Sequence, residues 1–255
     1  MRDALAMGRG PLFRPCAVVP VYNHEHALPV VVEALVQAHL PCLLVDDASS
    51  PACAAVMDTL ADQRDVHLVR LAVNQGKGGA VMIGLREAAR LGYTHALQVD
   101  ADGQHDLEDV EDFLEAARLE PDALICGYPR FDESVPKSRF YARYLTHVWV
   151  WINSLSLSIR DSMCGFRVYP LPPVLALIDQ VRIGRRMDFD SEILVRLAWR
   201  GQPMRWLPVR VHYPLDGVSH FRLWQDNALI SKMHARLFVG MLWRAPAILL
   251  RRWRR

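Results

Sequence analysis

Cysteine is scarce in this chain of 255 residues: Cys16, Cys42, Cys53, Cys126 and Cys164 are an odd set with no C-x-x-C pair. That excludes a disulfide framework and a Cys-based zinc module, and predicts buried or free thiols in a reducing cytosol. No run of about 18 consecutive apolar residues occurs, so no membrane span is expected. The N-terminus, MRDALAMGRGPLFRPC, lacks an apolar stretch of signal-peptide length, which argues against secretion. Net charge is low too, at +2, too little to make nucleic acid a bulk partner. G-x-x-x-x-G-K-[ST] is absent, and "NQGKGG" fails G-x-G-x-x-G because position 81 is valine. A tight turn is the better reading of those glycines, with Lys77 still able to reach a diphosphate.

Acidic residues are missing altogether from the end of the chain. From Ile230 to Arg255 there are seven Lys or Arg and no Asp or Glu. "LISKMHARLFVGMLWRAPAILLRRWRR" mixes these cations with Leu, Phe, Trp and Met, and Arg244 and Pro246 are expected to interrupt it. Two readings stay open: a helix in the interface of an anionic leaflet, with Trp243 and Trp253 at headgroup depth, or a helix packed on the domain.

What is present is a strand–helix alternation. "CAVVP", "LLVD", "VHLVRL", "HALQVD" and "ALICG" read as strands. Between them Leu28, Val31 and Leu35, then Val81, Leu85 and Ala88, recur at helical spacing. "DLEDVEDFLEAARLEP" predicts a helix capped by Asp106, with Leu107, Val110, Leu114 and Ala117 on one face. Such alternation requires crossovers and so a mostly parallel sheet flanked by helices, with ligands at the carboxyl ends of the strands. The polar clusters "VYNHE", "DDASS", "NQGKGG" and "DADGQH" follow four successive strands and should converge on one rim. Beyond residue 128, "YPRFDESVPKSRFYAR" reads as a mobile basic loop before an apolar helix. "MDFDSEILVRLAWRG" reads as a helix ending at Gly201, and "MRWLPVRVHY" as a strand. The expected division is a tail over 1–14, one α/β domain over 15–214, and a basic amphipathic helical region over 215–255.

Asp100 and Asp102 follow the apolar strand directly and are two residues apart, so in extended chain they point the same way. Two carboxylates aimed at one place repel unless a cation or a proton separates them, and a hard cation such as Mg²⁺ suits them. The plainer alternative is a solvated acidic turn.

Five segments, "VVPVYNHEHALP", "LLVDDASS", "NQGKGGAVMIGLREA", "LQVDADGQHD" and "DSMCGFRVY", together resemble the family 2 glycosyltransferases of GT-A fold. Within that family they resemble the branch of dolichol-phosphate mannosyltransferase and bacterial polyprenyl-phosphate glycosyltransferases, from about Cys16 to His212. The resemblance implies an inverting transfer from a nucleotide-diphosphate sugar to a lipid-linked acceptor, a polyprenyl phosphate or a glycolipid, with Mg²⁺ or Mn²⁺. It places Pro20, Tyr22, Asn23, Glu25, Asp46, Asp47, Lys77, Asp100 and Ala101 at the nucleotide sugar, and Asp100, Asp102 and Gln104 at the metal. Asp161 and Arg167, with Gly165 and Phe166, would lie near the reacting sugar, and Asp190 and Glu192 at an "F-D-x-E" helix start. Arg130, Lys137, Arg139 and Arg143 would serve the acceptor. Should the acceptor be a hydroxyl, Asp161, Asp190 or Glu192 is a candidate base. For the latter two, a pair favoured by the helix dipole is the alternative.

The sequence departs from the family at His24, where many relatives carry Glu, and at Ala48, where Gly is usual. The implied location is cytoplasmic, peripheral on the inner face of the cytoplasmic membrane, without nucleic acid. Two competing functions remain: a nucleotidyltransferase, disfavoured by the lack of a basic glycine-rich loop after the first strand, and a catalytically silent sugar-nucleotide or lipid-binding module. His105 stands beside the acidic turn. Trp149 and Trp151, two apart in an apolar run, are more often core or interface than a sugar platform.

Overall fold

The computed structural model describes residues 13–130, 137–211 and 222–253, excluding the side chains of 137–142 and 252. Most of the expected 1–14 tail therefore lies outside the described residues. Seven strands form one sheet: β1 (Pro15–Val21), β2 (Cys42–Asp46), β3 (Val66–Arg70), β4 (His95–Gln98), β5 (Leu124–Arg130), β6 (Arg167–Pro170) and β7 (Met204–Arg210). Their order is β3-β2-β1-β4-β6-β5-β7. β6 pairs antiparallel with both β4 and β5, whereas all other pairings are parallel. A mostly parallel sheet was expected; the antiparallel strand in its middle was not.

Alternation along each strand sends side chains to two covered faces. Ala17, Val19, Leu44, Leu97 and Val168 pack beneath α1 (Leu28–Gln37), α2 (Pro51–Ala61) and α4 (Val110–Leu119). Cys16, Val18, Leu43, Val45 and Tyr169 pack beneath α3 (Lys77–Arg90), α5 (Lys137–Ser154), α6 (Leu171–Ile178), α7 (Phe189–Arg200) and α8 (Leu223–Trp253). All five cysteines are buried and free, as expected.

Local chemistry explains several helix ends. Ser50 caps α2 by accepting from the Cys53 amide, with Pro51 in the first turn. Gly201 closes α7 in the left-handed conformation. Asp106 does cap, but its carboxylate accepts from Glu108 N in a 3₁₀ turn over Leu107–Asp109, so α4 starts only at Val110.

Two expectations are corrected. The basic segment is not one loop: Tyr128–Arg130 completes β5, and the chain is helical from Lys137, immediately after Pro136 in the sequence. Arg244 and Pro246 do not interrupt the last helix either, since α8 runs through both. Buried Met241 and Ile248 bracket the proline, and Arg251 Nη1 donates to the Trp199 carbonyl at 2.7 Å, so the turns on both sides of the missing amide stay anchored. Among the described residues no helix is long and apolar enough to cross a membrane.

β1 lies between β2 and β4, with α1 on one face and α3 on the other, so a crevice opens at the carboxyl ends of β1 and β4. Close seating of α3 on these strands depends on Gly84. An added methyl there would run into Val18 Cγ1 and lie 3.0 Å from Val45 Cγ2. Gly84→Ala is expected to cost about 1–3 kcal/mol of stability by lifting α3 off the sheet, measured by urea unfolding; an unchanged midpoint would show that the contact yields freely.

Candidate active site

The four polar clusters meet at this crevice and are tied to one another by hydrogen bonds. Asn23 Oδ1 accepts from Ser50 N at 2.7 Å, joining the loops after β1 and β2. Asp47 accepts from the Gln75 and Gly76 amides, joining those after β2 and β3. Asp46 accepts from Ser49 N at 2.8 Å and from Arg70 Nε at 2.9 Å. Thus the two aspartates expected at the nucleoside are buried, with their oxygens organising the rim. Four rim residues sit at positive φ: Asn23 at 56°, Ala48 at 59°, Gly76 at 81° and Gly103 at 70°. The family's usual Gly at position 48 is therefore explained by backbone geometry, and the alanine here bears the strain. Pro20 near the end of β1 and Tyr22 just after it are half-buried, Ala101 is buried, and Glu25 has Oε2 buried without a partner.

Lys77 opens α3, and its Nζ lies between two carboxylates, 2.9 Å from Asp100 Oδ2 and 3.0 Å from Asp190 Oδ2. Burial works against its charge, but Asp100 and Asp190 hold it protonated, above the ordinary lysine range. Burial likewise works against the Asp100 carboxylate, yet Lys77 and then His105 bring it below its usual range. Gln98 and Arg167 complete the arrangement. Gln98 Nε2 donates to Asp190 Oδ1 at 3.3 Å while its Oε1 accepts from Tyr169 Oη at 3.0 Å. Arg167, wholly buried, donates to the Asp190 and Ser162 carbonyls at 2.8 and 3.0 Å. Only glycine fits at position 165, where an added methyl would lie 2.8 Å from Gln98 Nε2 and 3.0 Å from both Lys77 Nζ and Asp100 Oδ2.

Asp100 Oδ1 is buried without a partner, and Asp102 Oδ1 accepts from Gln104 N at 3.1 Å. Among the described residues no three His, Cys, Asp or Glu side chains form a metal-holding group. An orphaned carboxylate oxygen beside a second aspartate is what a hard cation would complete, with the remaining positions left to diphosphate oxygens. His105 packs against Phe166 at 5.2 Å between ring centroids, and its Nδ1 is also buried and unpartnered.

A second cluster lies beside the first. Tyr128, Pro129, Arg143, Tyr144, His147, Arg160 and Asp161 line a cavity of about 140 Å³. Asp161 accepts from Arg143 Nε and Nη2 at 2.7 Å each and from the Met163 and Cys164 amides at 2.8 and 2.7 Å. Burial alone would raise its pKa, but the His147 hydrogen bond and the Arg143 ion pair lower it to about 2. Of the basic residues expected at an acceptor, Arg143 is here. Arg130 instead lines a separate hollow with Asp109, Asp112 and Arg205. Lys137 and Arg139 lie in α5, but their side chains are outside the described residues. His147, Arg160, Tyr128 and Tyr144 were not foreseen; the one available signal was the i, i+4 spacing of Arg143 and His147.

Glu192, in the first turn of α7, is fully buried. It accepts from Gly184 N at 2.8 Å, from Arg196 Nε at 2.7 Å and from Arg236 of α8.

With this geometry established, the comparisons with known proteins can be placed. The model of glycosyl transferase family 2 matches residues 16–178, from the first strand through α6. The chain belongs to this family. As a family 2 glycosyltransferase it is 28% identical over 203 residues to the undecaprenyl-phosphate mannosyltransferase of Micrococcus luteus, covering 77% of this chain and 82% of that protein. It is 29% identical over 176 residues to the polyprenol monophosphomannose synthase of Mycolicibacterium smegmatis, covering 62% of each. The fold matches glucosyl-3-phosphoglycerate synthase from Mycobacterium tuberculosis, solved with Mn²⁺ and UDP-glucose. That match has TM-score 0.63 and 14% identity, over 91% of this chain and 78% of that one. The sheet is thus a GT-A fold, and the nucleotidyltransferase reading falls away.

Because the folded Asp161 pKa lies below its unfolded value of about 3.9, its contribution to stability is present above that value and is lost as pH falls towards 2. The wild type should lose about 2 kcal/mol from this group between about pH 5 and pH 2, and Asp161→Asn should lack that component. Denaturant titrations across this range check it; parallel acid profiles would show that the clamp is not formed.

Proposed function

We propose that this glycosyltransferase moves a sugar from a nucleoside-diphosphate sugar to a lipid phosphate, a polyprenyl phosphate, with inversion at the sugar carbon, at the inner face of the cytoplasmic membrane. One observation carries the choice of acceptor: each carboxylate expected as a general base is already engaged by cations. Asp161 is clamped by Arg143 and His147, Asp190 by Lys77, and Glu192 by Arg196 and Arg236. A hydroxyl acceptor needs a carboxylate free to take its proton. A phosphate is an anion at neutral pH and needs positive charge instead, which Arg143 and Arg160 offer beside Tyr128. The names of the two curated relatives, each a polyprenol or undecaprenyl-phosphate mannosyl enzyme, support the same reading.

In this reading the acceptor oxygen bonds to the sugar carbon on the face opposite the diphosphate, as the bond from that carbon to the diphosphate oxygen breaks and its electron pair leaves with the diphosphate. Asp100, Asp102 and Gln104 would hold Mg²⁺ or Mn²⁺, which would carry the charge that develops on the leaving group. The Mn²⁺-bound fold neighbour supports a divalent ion. Lys77, held protonated at the same place, adds a second positive charge for the diphosphate. Pro20, Tyr22, Asn23 and Glu25 border the crevice where the nucleoside would lie, and Asp46 and Asp47 would act there by fixing the loops.

Transfer of radiolabelled mannose or glucose from GDP- and UDP-sugars is to be compared with polyprenyl phosphate and with the unphosphorylated polyprenol. Turnover is expected with the phosphate alone, with the anomeric configuration inverted by NMR. Glycosylation of the alcohol and not the phosphate would overturn the assignment. Separately, removal of divalent ions with EDTA, or Asp102→Ala, is expected to weaken nucleoside-diphosphate binding by at least about tenfold in calorimetry. Equal affinity with and without metal would remove the metal from the reading.

A further inference from the structure

α8 presents two apolar faces, and only one of them is covered. Met233, Leu237, Met241 and Ile248 point into the core shared with α5 and α7. The other side carries Val239, Leu242, Trp243, Leu249, Leu250 and Trp253, all exposed, with Trp243 at 89% and Trp253 at 95% of full accessibility. At the start of the same helix Trp224 is 86% exposed. Single exposed apolar residues need no explanation, but a strip of this kind along one helix does.

The strip continues onto α5. Trp149 meets Phe238 edge-on at 6.4 Å, and Leu145, Trp149 and Ile152, at i, i+4 and i+7, are exposed along α5. Charge is distributed to match. Arg244 and Arg236 turn towards the domain, the first over the Trp199 ring at 5.0 Å and the second onto Glu192. Lys232 is exposed, the sequence ends in RRWRR, and no acidic residue follows Ile230. An apolar strip with tryptophans near both ends, in a stretch whose charges are all positive, fits the interface of an anionic bilayer better than a protein groove, which would not require one sign of charge.

We infer that the protein docks on anionic lipid through the outer face of α8 and the Leu145–Trp149–Ile152 stripe of α5, with α8 lying in the plane of the interface. α5 then has two duties. Arg143 and His147, which line the cationic cavity, stand two residues before and after Leu145 and so on the opposite side of α5, which sets the cavity about one helix width from the docked face. The use of that cavity by a lipid phosphate rests on the acceptor reading above, whereas docking itself does not.

The test is flotation of the full chain with vesicles of phosphatidylethanolamine and phosphatidylglycerol, and with phosphatidylcholine alone, at low and high salt. Binding is expected to the anionic vesicles and to fall with salt. Trp243→Glu and Leu250→Glu should each lower it by about tenfold or more, with Val30→Glu, an equally exposed apolar site on α1, as unchanged control. Trp253→Ser serves as a further variant if either glutamate substitution lowers the melting temperature. Failure to float with anionic vesicles, or flotation unaffected by all three strip variants, overturns the inference. So does a concentration-dependent dimer in sedimentation that Trp243→Glu abolishes, which would assign the strip to a second copy. None of these readouts depends on turnover, so a failed acceptor assay and a failed docking assay are separable.

Discussion

The ion triad of Asp100, Lys77 and Asp190 is the constraint around which the rim is arranged. A half-buried and a buried carboxylate from different parts of the chain would repel, and the lysine at the head of α3 separates them at 2.9 and 3.0 Å. An unpaired buried charge costs several kcal/mol, so each member requires the others. The requirement reaches outward from there. A side chain at Gly165 would press on Gln98, Asp100 and Lys77, Gln98 places an amide at the end of β4, and buried Arg167 holds the start of α7. The wholly buried arginine, the costliest side chain in the core, is accounted for by the acid it steadies.

The same triad decides what the site can do. A carboxylate locked between a lysine and an amide makes a poor proton acceptor but a good fixed charge. On the proposed reading, chemistry at this rim is electrostatic: Lys77 is held in advance where negative charge would appear on the diphosphate, with little side-chain rearrangement needed as the bond breaks. The neighbouring pocket follows the same logic, since the Asp161 clamp orients Arg143 and His147 and leaves Arg160 to face an incoming anion. Two sites built on fixed charge suit a reaction whose leaving group and nucleophile are both phosphates.

Much of this could be read from the chain, and the reasons are local. The strand–helix alternation and the polar clusters at strand ends follow from periodicity, so the rim where four loops converge was legible. Asp100, Lys77, Asp190 and Arg167 were all singled out, but their mutual contacts were not, because these residues come from the loop after β4, from α3, from α7 and from β6, and sheet order is a property of pairing across long separations. β6, entering antiparallel between β4 and β5, is the element that brings Arg167 under Asp190, and nothing in a four-residue strand announces its neighbours. His147 escaped notice for a similar reason: its role depends on the loop carrying Asp161 folding back against α5. Glu192 looked like a dipole-stabilised acid at a helix start, and its three partners come from α7, α8 and the Gly184 loop.

The end of the chain shows how one sequence pattern can carry two readings that do not exclude each other. Amphipathic analysis sets a helix packed on the domain against a helix lying on lipid, as if one apolar face could serve only one of them. α8 is apolar on two sides: the inner row joins the core, and Trp199, gripped between Arg196 and Arg244 at 5.8 and 5.0 Å, anchors it. With packing thus satisfied by the inner row, the outer Val, Leu and Trp residues add nothing to folding and carry a solubility cost. Their persistence over about four turns beside Lys and Arg residues is a surface property, and the docking inferred above is the use it fits.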